Sequence, residues 1–300
     1  MRLLRALQQA IGAPSAHNEL RWMKRAIAAS PATVPDLDTM VARRVAGEPL
    51  QYILGAQPFG PLMLQVRPPV LIPRPETEDW ALRLASAFPP PPGVTGMRVQ
   101  RALDLCTGSA CIPLLLCAQR PPGTLHAVAV DSSDAALALA RDNARACAVP
   151  CATDARRHTP PTNTLALLRA DVLDTAALAA ALRPHGPFDL LTANPPYITR
   201  AEYAELPPSV RDWEDPAALL GDLPAAPPSG GLAFYHAIAA LLARGDVLRA
   251  GGWLALEVGA GQARAVAAVV GAALAGASET QIWCDPWGKE RVVVAHGARR

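Results

Sequence analysis

From about residue 97 to the end of the chain, short apolar runs alternate with stretches of helical periodicity. Val99 to Leu105, Ala127 to Val130, Leu165 to Arg169, Phe188 to Leu191 and Trp253 to Val258 read as strands. Residues 109–118, 133–147, 231–248 and 261–274 read as helices, and Thr280 to Cys284 and Arg291 to Ala295 close the pattern as two short strands. This alternation predicts an α/β fold, a seven-stranded and mostly parallel sheet with helices on both faces. Ligands of such sheets bind outside the carboxyl ends of the strands. Asp104, Asp131, Asp171 and Asn194 all fall at or just after predicted strand ends. Singly, each reads as a helix cap or turn residue; four at one edge point to a site.

The first 70 residues have a different texture. Leu3, Leu4, Leu7, Ala10 and Ile11 form one apolar stripe, and Leu20, Met23, Ala26 and Ile27 a second. Ser15 is a candidate cap for the second helix, and Pro35 and Asp36 mark the start of a third that Gly47 ends. The segment reads as a small helical domain over residues 1–60. Leu62, Leu64 and Val66 alternate with Met63, Gln65 and Arg67 as a short strand or hairpin. Glu76 to Ala87 reads as a helix with acids at its favourable end. Residues 61–96 thus form a linker ahead of the α/β domain at 97–300.

Composition narrows the classes. Of 300 residues, 51% are hydrophobic and 18% charged, as in a folded globular chain. The net charge is +2 without a long basic run, so an electrostatic grip on nucleic acid finds little support. No apolar run reaches the roughly 18 residues of a spanning helix. Cys106, Cys111, Cys117, Cys147, Cys151 and Cys284 make no CxxC pair and no zinc-type spacing with histidine, which fits reduced thiols inside a cell. The basic, amphipathic start at Met1 to Ile11 fits either a targeting element or the first helix of the fold. The proline run Pro89 to Pro92, the polar stretch 151–163 and the stretch 223–229 read as loops.

Asp104-Leu-Cys-Thr-Gly-Ser-Ala-Cys111 lies between a predicted strand and a helix. Gly108 allows a tight turn and close backbone approach, and the helix start offers free N–H groups. Cys106 and Ala110 replace the glycines of a dinucleotide fingerprint, and no Gly-Lys-Ser/Thr follows as in a P-loop. A nucleoside carrying an amino acid suits this loop better than a pyrophosphate. Asp131, at the next strand end, is placed to accept both ribose hydroxyls. Asp171 is placed to bond an adenine amino group, with Val172 against the ring.

Asn194-Pro195-Pro196-Tyr197 is the sharpest motif. Each proline fixes its own φ and steers the preceding residue away from helix, leaving a rigid extended segment. The Asn194 side-chain oxygen and the Pro195 carbonyl can accept both hydrogens of a planar –NH₂, and Tyr197 can lie against the planar group. An activated methyl on a sulfonium needs little acid–base help, so alignment and electrostatics would carry the transfer.

The motif resembles that of amino-group methyltransferases acting on adenine, cytosine or glutamine. Gly47 to Gly55 with Phe59-Gly60, Val70 to Glu78, Glu214 to Leu219 with Gly221, and Gly288 and Arg291 narrow the likeness. They resemble the protein-(glutamine-N5) methyltransferases of release factors, the HemK/PrmC family, over almost the whole chain. The resemblance implies a class I (Rossmann-like) methyltransferase domain and S-adenosyl-L-methionine as cofactor. It implies the glutamine of the Gly-Gly-Gln loop of a class I peptide chain release factor as substrate; a monomer is expected, since nothing in the sequence demands a dimer, and the missing basic face and long apolar run argue against a DNA or a membrane partner. Asp104, Cys106, Thr107, Gly108, Ala110, Asp131, Asp171, Val172 and Asn194 would then meet the cofactor. Asn194 to Tyr197 would hold the amide, with Arg74, Glu76 and Glu78 beside the substrate, and the N-terminal domain would help grip the release factor. Cys106, Ala110 and Val172 depart from the family's usual glycines and aromatic residue. The cysteine and the basic start favour a mitochondrial over a cytoplasmic enzyme. Two other readings stand beside this one: a DNA adenine or cytosine amino-methyltransferase, and a non-catalytic partner protein that kept the fold.

Overall fold

The computed structural model describes residues 1–29, 34–89, 98–151, 162–223, 227, 229–274 and 279–296. The chain opens with helices α1 (Arg2–Ile11), α2 (Ala13–Ala29), α3 (Leu37–Val45) and α4 (Leu50–Leu54). Their apolar stripes meet in a core of their own, around Leu7, Met23, Met40 and Ile53. The basic pattern of α1 is thus that of a helix packed by one face. Asp36 caps α3, its carboxylate accepting the Thr39 N–H at 3.0 Å. Ser15 is not the cap of α2, which begins two residues earlier at Ala13. Gly12 turns the chain at φ 81, and Pro14 sits in the first turn, where its missing N–H costs nothing.

Strands β1 (Ala56–Phe59) and β2 (Leu62–Gln65) form an antiparallel hairpin, followed by α5 (Pro75–Ala87) with Pro75 in its first turn. The hairpin is tied to the rest by Asn143, which is fully buried. Asn143 accepts the Gln65 N–H at 2.7 Å and donates to the carbonyls of Gln65 at 3.1 Å and Ser109 at 3.0 Å.

The remaining elements alternate: β3 (Gln100–Leu105), α6 (Cys111–Gln119), β4 (Leu125–Asp131), α7 (Asp134–Ala146), β5 (Thr164–Arg169), α8 (Thr175–Leu182) and β6 (Phe188–Ala193). Short helices α9 (Arg200–Ala204), α10 (Pro208–Arg211) and α11 (Pro216–Leu219) follow. Then come α12 (Ala233–Ala243), β7 (Leu248–Glu257), α13 (Ala263–Ala273), β8 (Glu279–Cys284) and β9 (Glu290–His296). The seven strands from β3 onward lie in the order β5-β4-β3-β6-β7-β9-β8. Only β9 runs against the others. The sheet is the seven-stranded, mostly parallel one that the alternation predicts.

Successive residues of the inner strands go to opposite faces. Ala102, Ala127, Ala129 and Ala255 face α5 and α6, where their small side chains let the apolar α6 approach closely. Leu103, Val128, Val130 and Leu254 face α12 and α13.

The helix expected over 231–248 is shorter, ending at Ala243. Gly245 takes a left-handed φ of 75 and its N–H bonds back to the Leu242 carbonyl at 3.0 Å, which ends the helix. Residues from Leu248 on belong instead to β7, which begins five residues before the expected strand and carries a register shift opposite Phe188–Leu190. Helix α8 was not anticipated, although Asp174 caps it by accepting the Ala177 N–H at 3.0 Å. Most of the proline run Pro89–Pro92, most of the 151–163 loop and part of the 223–229 loop lie outside the described residues. Among the described residues, no helix is long and apolar enough to cross a membrane.

Candidate active site

The sheet changes direction of growth at β3. From β3 the chain moves outward through β4 to β5, then returns to place β6 on the other side of β3. A crevice forms outside the carboxyl ends at such a switch point. The loop after β3 and the Asn-Pro-Pro-Tyr segment after β6 flank it.

A cavity of ≈ 400 Å³ occupies this crevice. Cys106, Gly108, Asp131, Asp171, Val172, Asn194 and Pro196 line it, seven of the residues singled out from the sequence. Its size is within the roughly 300–1,000 Å³ usual for small-molecule sites. Cys106, Gly108 and Ala110 all adopt left-handed φ, of 56, 54 and 62, so the loop curls back on itself ahead of α6. A Cβ added to Gly108 would meet nothing within 4 Å, so the glycine leaves open space beside the backbone. Asp131 accepts the Gly108 N–H at 2.8 Å and the Ser133 N–H at 2.9 Å, one on each oxygen. Burial raises its carboxyl, and those N–H bonds oppose the shift. Asp171 is exposed and accepts the Leu173 N–H at 2.9 Å, and Val172 is buried.

Asp104, Thr107 and Ala110 lie under the loop and do not line the cavity. Thr192 donates to Asp104 Oδ1 at 2.6 Å, and the Thr107 hydroxyl acts on the same buried carboxyl, lowering its pKa against the effect of burial. Burial pushes the Asp104 carboxyl up to about 7.

A second cavity of ≈ 250 Å³ adjoins the first. Arg74, Pro195 and Tyr197 line it, and Leu71, Asn194 and Ala218 line both cavities. Asn194 is therefore part of the wall between the two chambers. Arg74 is held by Glu214, whose carboxylate oxygens lie 2.8 and 2.7 Å from Nη2. Next to that pair the Asp215 N–H bonds the Pro69 carbonyl at 2.7 Å, pinning the segment after Tyr197 against residues 69–74. That segment walls both cavities through Ala218. Trp213, in the segment after the motif, lines neither cavity and packs with Tyr52, Val66 and Ile72.

Glu76 and Glu78 line neither cavity. Glu76 faces Arg291 at 4.0 Å. The residue of that stretch that reaches the motif is Thr77. It donates to Glu257 Oε2 at 2.6 Å, and Asn194 Nδ2 faces its oxygen at 3.4 Å. Trp80 donates its Nε1–H to the same Glu257 oxygen at 2.7 Å. The Tyr197 hydroxyl lies 3.4 Å from the other. Burial raises both Glu257 and Tyr197. Gln262 completes the support, donating to the Tyr197 carbonyl at 2.9 Å and accepting the Gly259 N–H at 2.9 Å. Thr77, Glu257 and Gln262 are absent from the residues that the sequence singles out as site residues. Glu257 carried the signal used for Asp104 and Asp131, an acid closing an apolar strand.

The chain is similar to known proteins over most of its length. Residues 16–55 match the model of the PrmC N-terminal domain. The chain is 36% identical over 267 residues to the release factor glutamine methyltransferase of Cereibacter sphaeroides, covering 88% of this chain and 80% of the relative. It is 38% identical over 232 residues to the enzyme of that name from Geobacter sulfurreducens, covering 76% of this chain and 66%, just under two thirds, of that relative. Among solved structures, the methyltransferase domain of METTL16 superposes with a TM-score of 0.50 at 17% identity, over 85% of this chain and 96% of that one, a likeness of fold. With 36% of the aligned residues identical across 80% of such a relative, the chain belongs to the PrmC/HemK family of release factor glutamine methyltransferases.

Proposed function

We propose that the chain transfers a methyl group from S-adenosyl-L-methionine to the side-chain amide nitrogen of the glutamine in the Gly-Gly-Gln loop of a class I peptide chain release factor. The observation that carries the reading is the placement of Asn194 between two chambers. The larger is rimmed by Asp131 and Asp171, anions suited to ribose hydroxyls, an adenine amino group and a cationic ligand. The smaller has room for one side chain and ends on Arg74, Pro195 and Tyr197.

S-adenosyl-L-methionine, when bound, would supply an activated methyl group on a sulfonium, a group that needs little acid–base help to transfer. The protein's part is alignment. Asp131, fixed by the Gly108 and Ser133 N–H groups, keeps lone pairs for the ribose. Val172 would back the adenine, and Asp171 would take its amino group, both from the lining of the larger chamber. Asp104, Cys106, Thr107 and Ala110 shape the loop around the remainder. Asn194 Oδ1 and the Pro195 carbonyl accept the two amide hydrogens, which holds the nitrogen in line and draws its lone pair toward the methyl. Pro196 keeps the segment extended and Tyr197 lies beside the amide plane. The amide nitrogen gains a bond to carbon and loses one proton to solvent after transfer. Arg74 lines the smaller chamber, and Glu76 and Glu78 follow it in the first turn of α5. Helices α1 to α4 have a separate core and match the PrmC N-terminal domain over residues 16–55, which supports a role in gripping the release factor, in the cytoplasm or the mitochondrial matrix.

The test is incubation with labelled S-adenosylmethionine and a folded class I release factor, with mass spectrometry to locate the methyl. Methyl on the loop glutamine is the expected result. It should be absent when that glutamine is alanine or when the enzyme carries Asn194→Ala. Cofactor binding without transfer to any release factor would overturn the substrate assignment.

A further inference from the structure

An asparagine can accept hydrogens from a substrate –NH₂ only if its own –NH₂ points elsewhere. The amide is nearly symmetric in shape, and a half-turn about its last bond exchanges acceptor for donor. In the wrong orientation, donor would face donor and the substrate nitrogen would lose one of its two acceptors.

The surroundings of Asn194 permit one orientation. Its Nδ2 faces Thr77 Oγ1 at 3.4 Å. The Thr77 hydroxyl has a single hydrogen, and that hydrogen goes to Glu257 Oε2 at 2.6 Å. Toward Asn194 the hydroxyl therefore shows lone pairs only, and only an N–H can satisfy them. The carboxylate that commits the hydroxyl is 2% exposed and held by a second donor, Trp80 Nε1 at 2.7 Å. Its other oxygen lies 3.4 Å from the Tyr197 hydroxyl, at the far end of the same motif. We propose that Glu257, acting through Thr77, is the positioning group that fixes the polarity of the Asn194 amide and so presents Oδ1 to the substrate nitrogen. The assignment rests on the methyl-transfer reading above, and it adds to that reading two residues that touch neither substrate nor cofactor.

Thr77→Val removes the hydroxyl and keeps the shape. With release factor and S-adenosylmethionine, this variant should lose about tenfold in kcat, the worth of a hydrogen bond, while KM for the release factor and Kd for the cofactor hold. Thr77→Ser, which restores the hydroxyl, should recover most of the rate. Thr77→Ala, which demands no space, is measured alongside and should behave as Thr77→Val. A second readout does not depend on turnover. The chain has only four asparagines, Asn18, Asn143, Asn163 and Asn194, so asparagine-selective ¹⁵N labelling resolves the Asn194 –NH₂ pair, identified by its loss in Asn194→Asp. In Thr77→Val and Thr77→Ala that pair should shift and exchange faster with water; in Thr77→Ser it should stay near its original position. Unmoved amide signals, an unchanged kcat, a loss confined to KM, or a Thr77→Ser variant as slow as Thr77→Val would each overturn the assignment. If the unaltered chain methylates no release factor, the substrate reading fails and the amide spectrum alone decides the relay.

Discussion

Cys106, Ala110 and Ala148 adopt left-handed backbone, with φ of 56, 62 and 54. For an L-residue this conformation costs roughly 1–2 kcal/mol. At Ala148 nothing offsets the cost. The residue is exposed just past α7, and the Val149 N–H bonds the Ala144 carbonyl at 2.8 Å in the pattern that favours glycine at such a stop. Ala148→Gly should therefore stabilise the fold by about 0.5–1 kcal/mol, after allowance for the extra freedom of glycine in the unfolded chain. The urea midpoint should rise at constant m-value. Ala110 is fully buried, and its methyl contributes about 0.8 kcal/mol of burial that glycine would forfeit. Ala110→Gly should accordingly change the midpoint little, which explains how a small side chain persists in the loop.

Asp104 carries a prediction in pH. Burial lifts its carboxyl from 3.8 to about 7. Between those values the folded chain holds a proton that the unfolded chain has released. The stability linked to this group is full below 3.8, falls as pH rises through the window and is level above about 7. Asp104→Asn keeps an acceptor for Thr192 and removes the ionisation. Its stability relative to the parent should improve from about pH 4 to about pH 8, read as the difference in urea midpoint. A difference independent of pH would mean that the carboxylate is ionised throughout.

At the scale of elements, the Asn-Pro-Pro-Tyr segment is shaped by what presses on it. A Cβ on Gly221 would stand 2.7 Å from Tyr197 Cα, 2.8 Å from the Pro196 carbonyl oxygen and 2.6 Å from that of Gly231, all backbone atoms unable to swing aside. Gly221→Ala should move the segment. Displacement on this scale costs on the order of a hundredfold in rate. Asn194, Pro196, Leu220 and Asp222 also line the larger chamber, so the Kd for S-adenosylmethionine should weaken too, but by a smaller factor than kcat falls. Isothermal titration with a methyl-transfer assay separates the two quantities, and an unchanged rate would refute the part of this contact in holding the segment. The proline motif and the strand before it were legible because a strand and a Pro-Pro pair announce themselves locally. The short helices α9 to α11 were not, since stretches of four or five residues hold too few turns to show a period. Helix α12 was read too long because Arg244-Gly245-Asp246 interrupts a run that stays apolar on both sides, and Gly245 becomes a stop only through its left-handed turn.

At the scale of the whole molecule, the alternating pattern by itself determined the seven-stranded sheet and the edge on which the polar strand ends would gather. Family motifs along the chain pointed to amide methylation, and turn chemistry placed Gly108, Asp131, Asp171 and Asn194 in one crevice. Tertiary structure decided the rest. It divided the crevice into two chambers with Asn194 between them, and it tied the hairpin to the sheet through the buried Asn143. It also turned Glu76 and Glu78 away from both chambers and set Thr77 between Asn194 and Glu257. Those last partners lie 117 and 180 residues from Thr77 along the chain. Periodicity and turn preference are properties of neighbours in sequence, whereas a hydrogen bond between distant side chains exists only once strand order has brought the ends of β6 and β7 together beside α5.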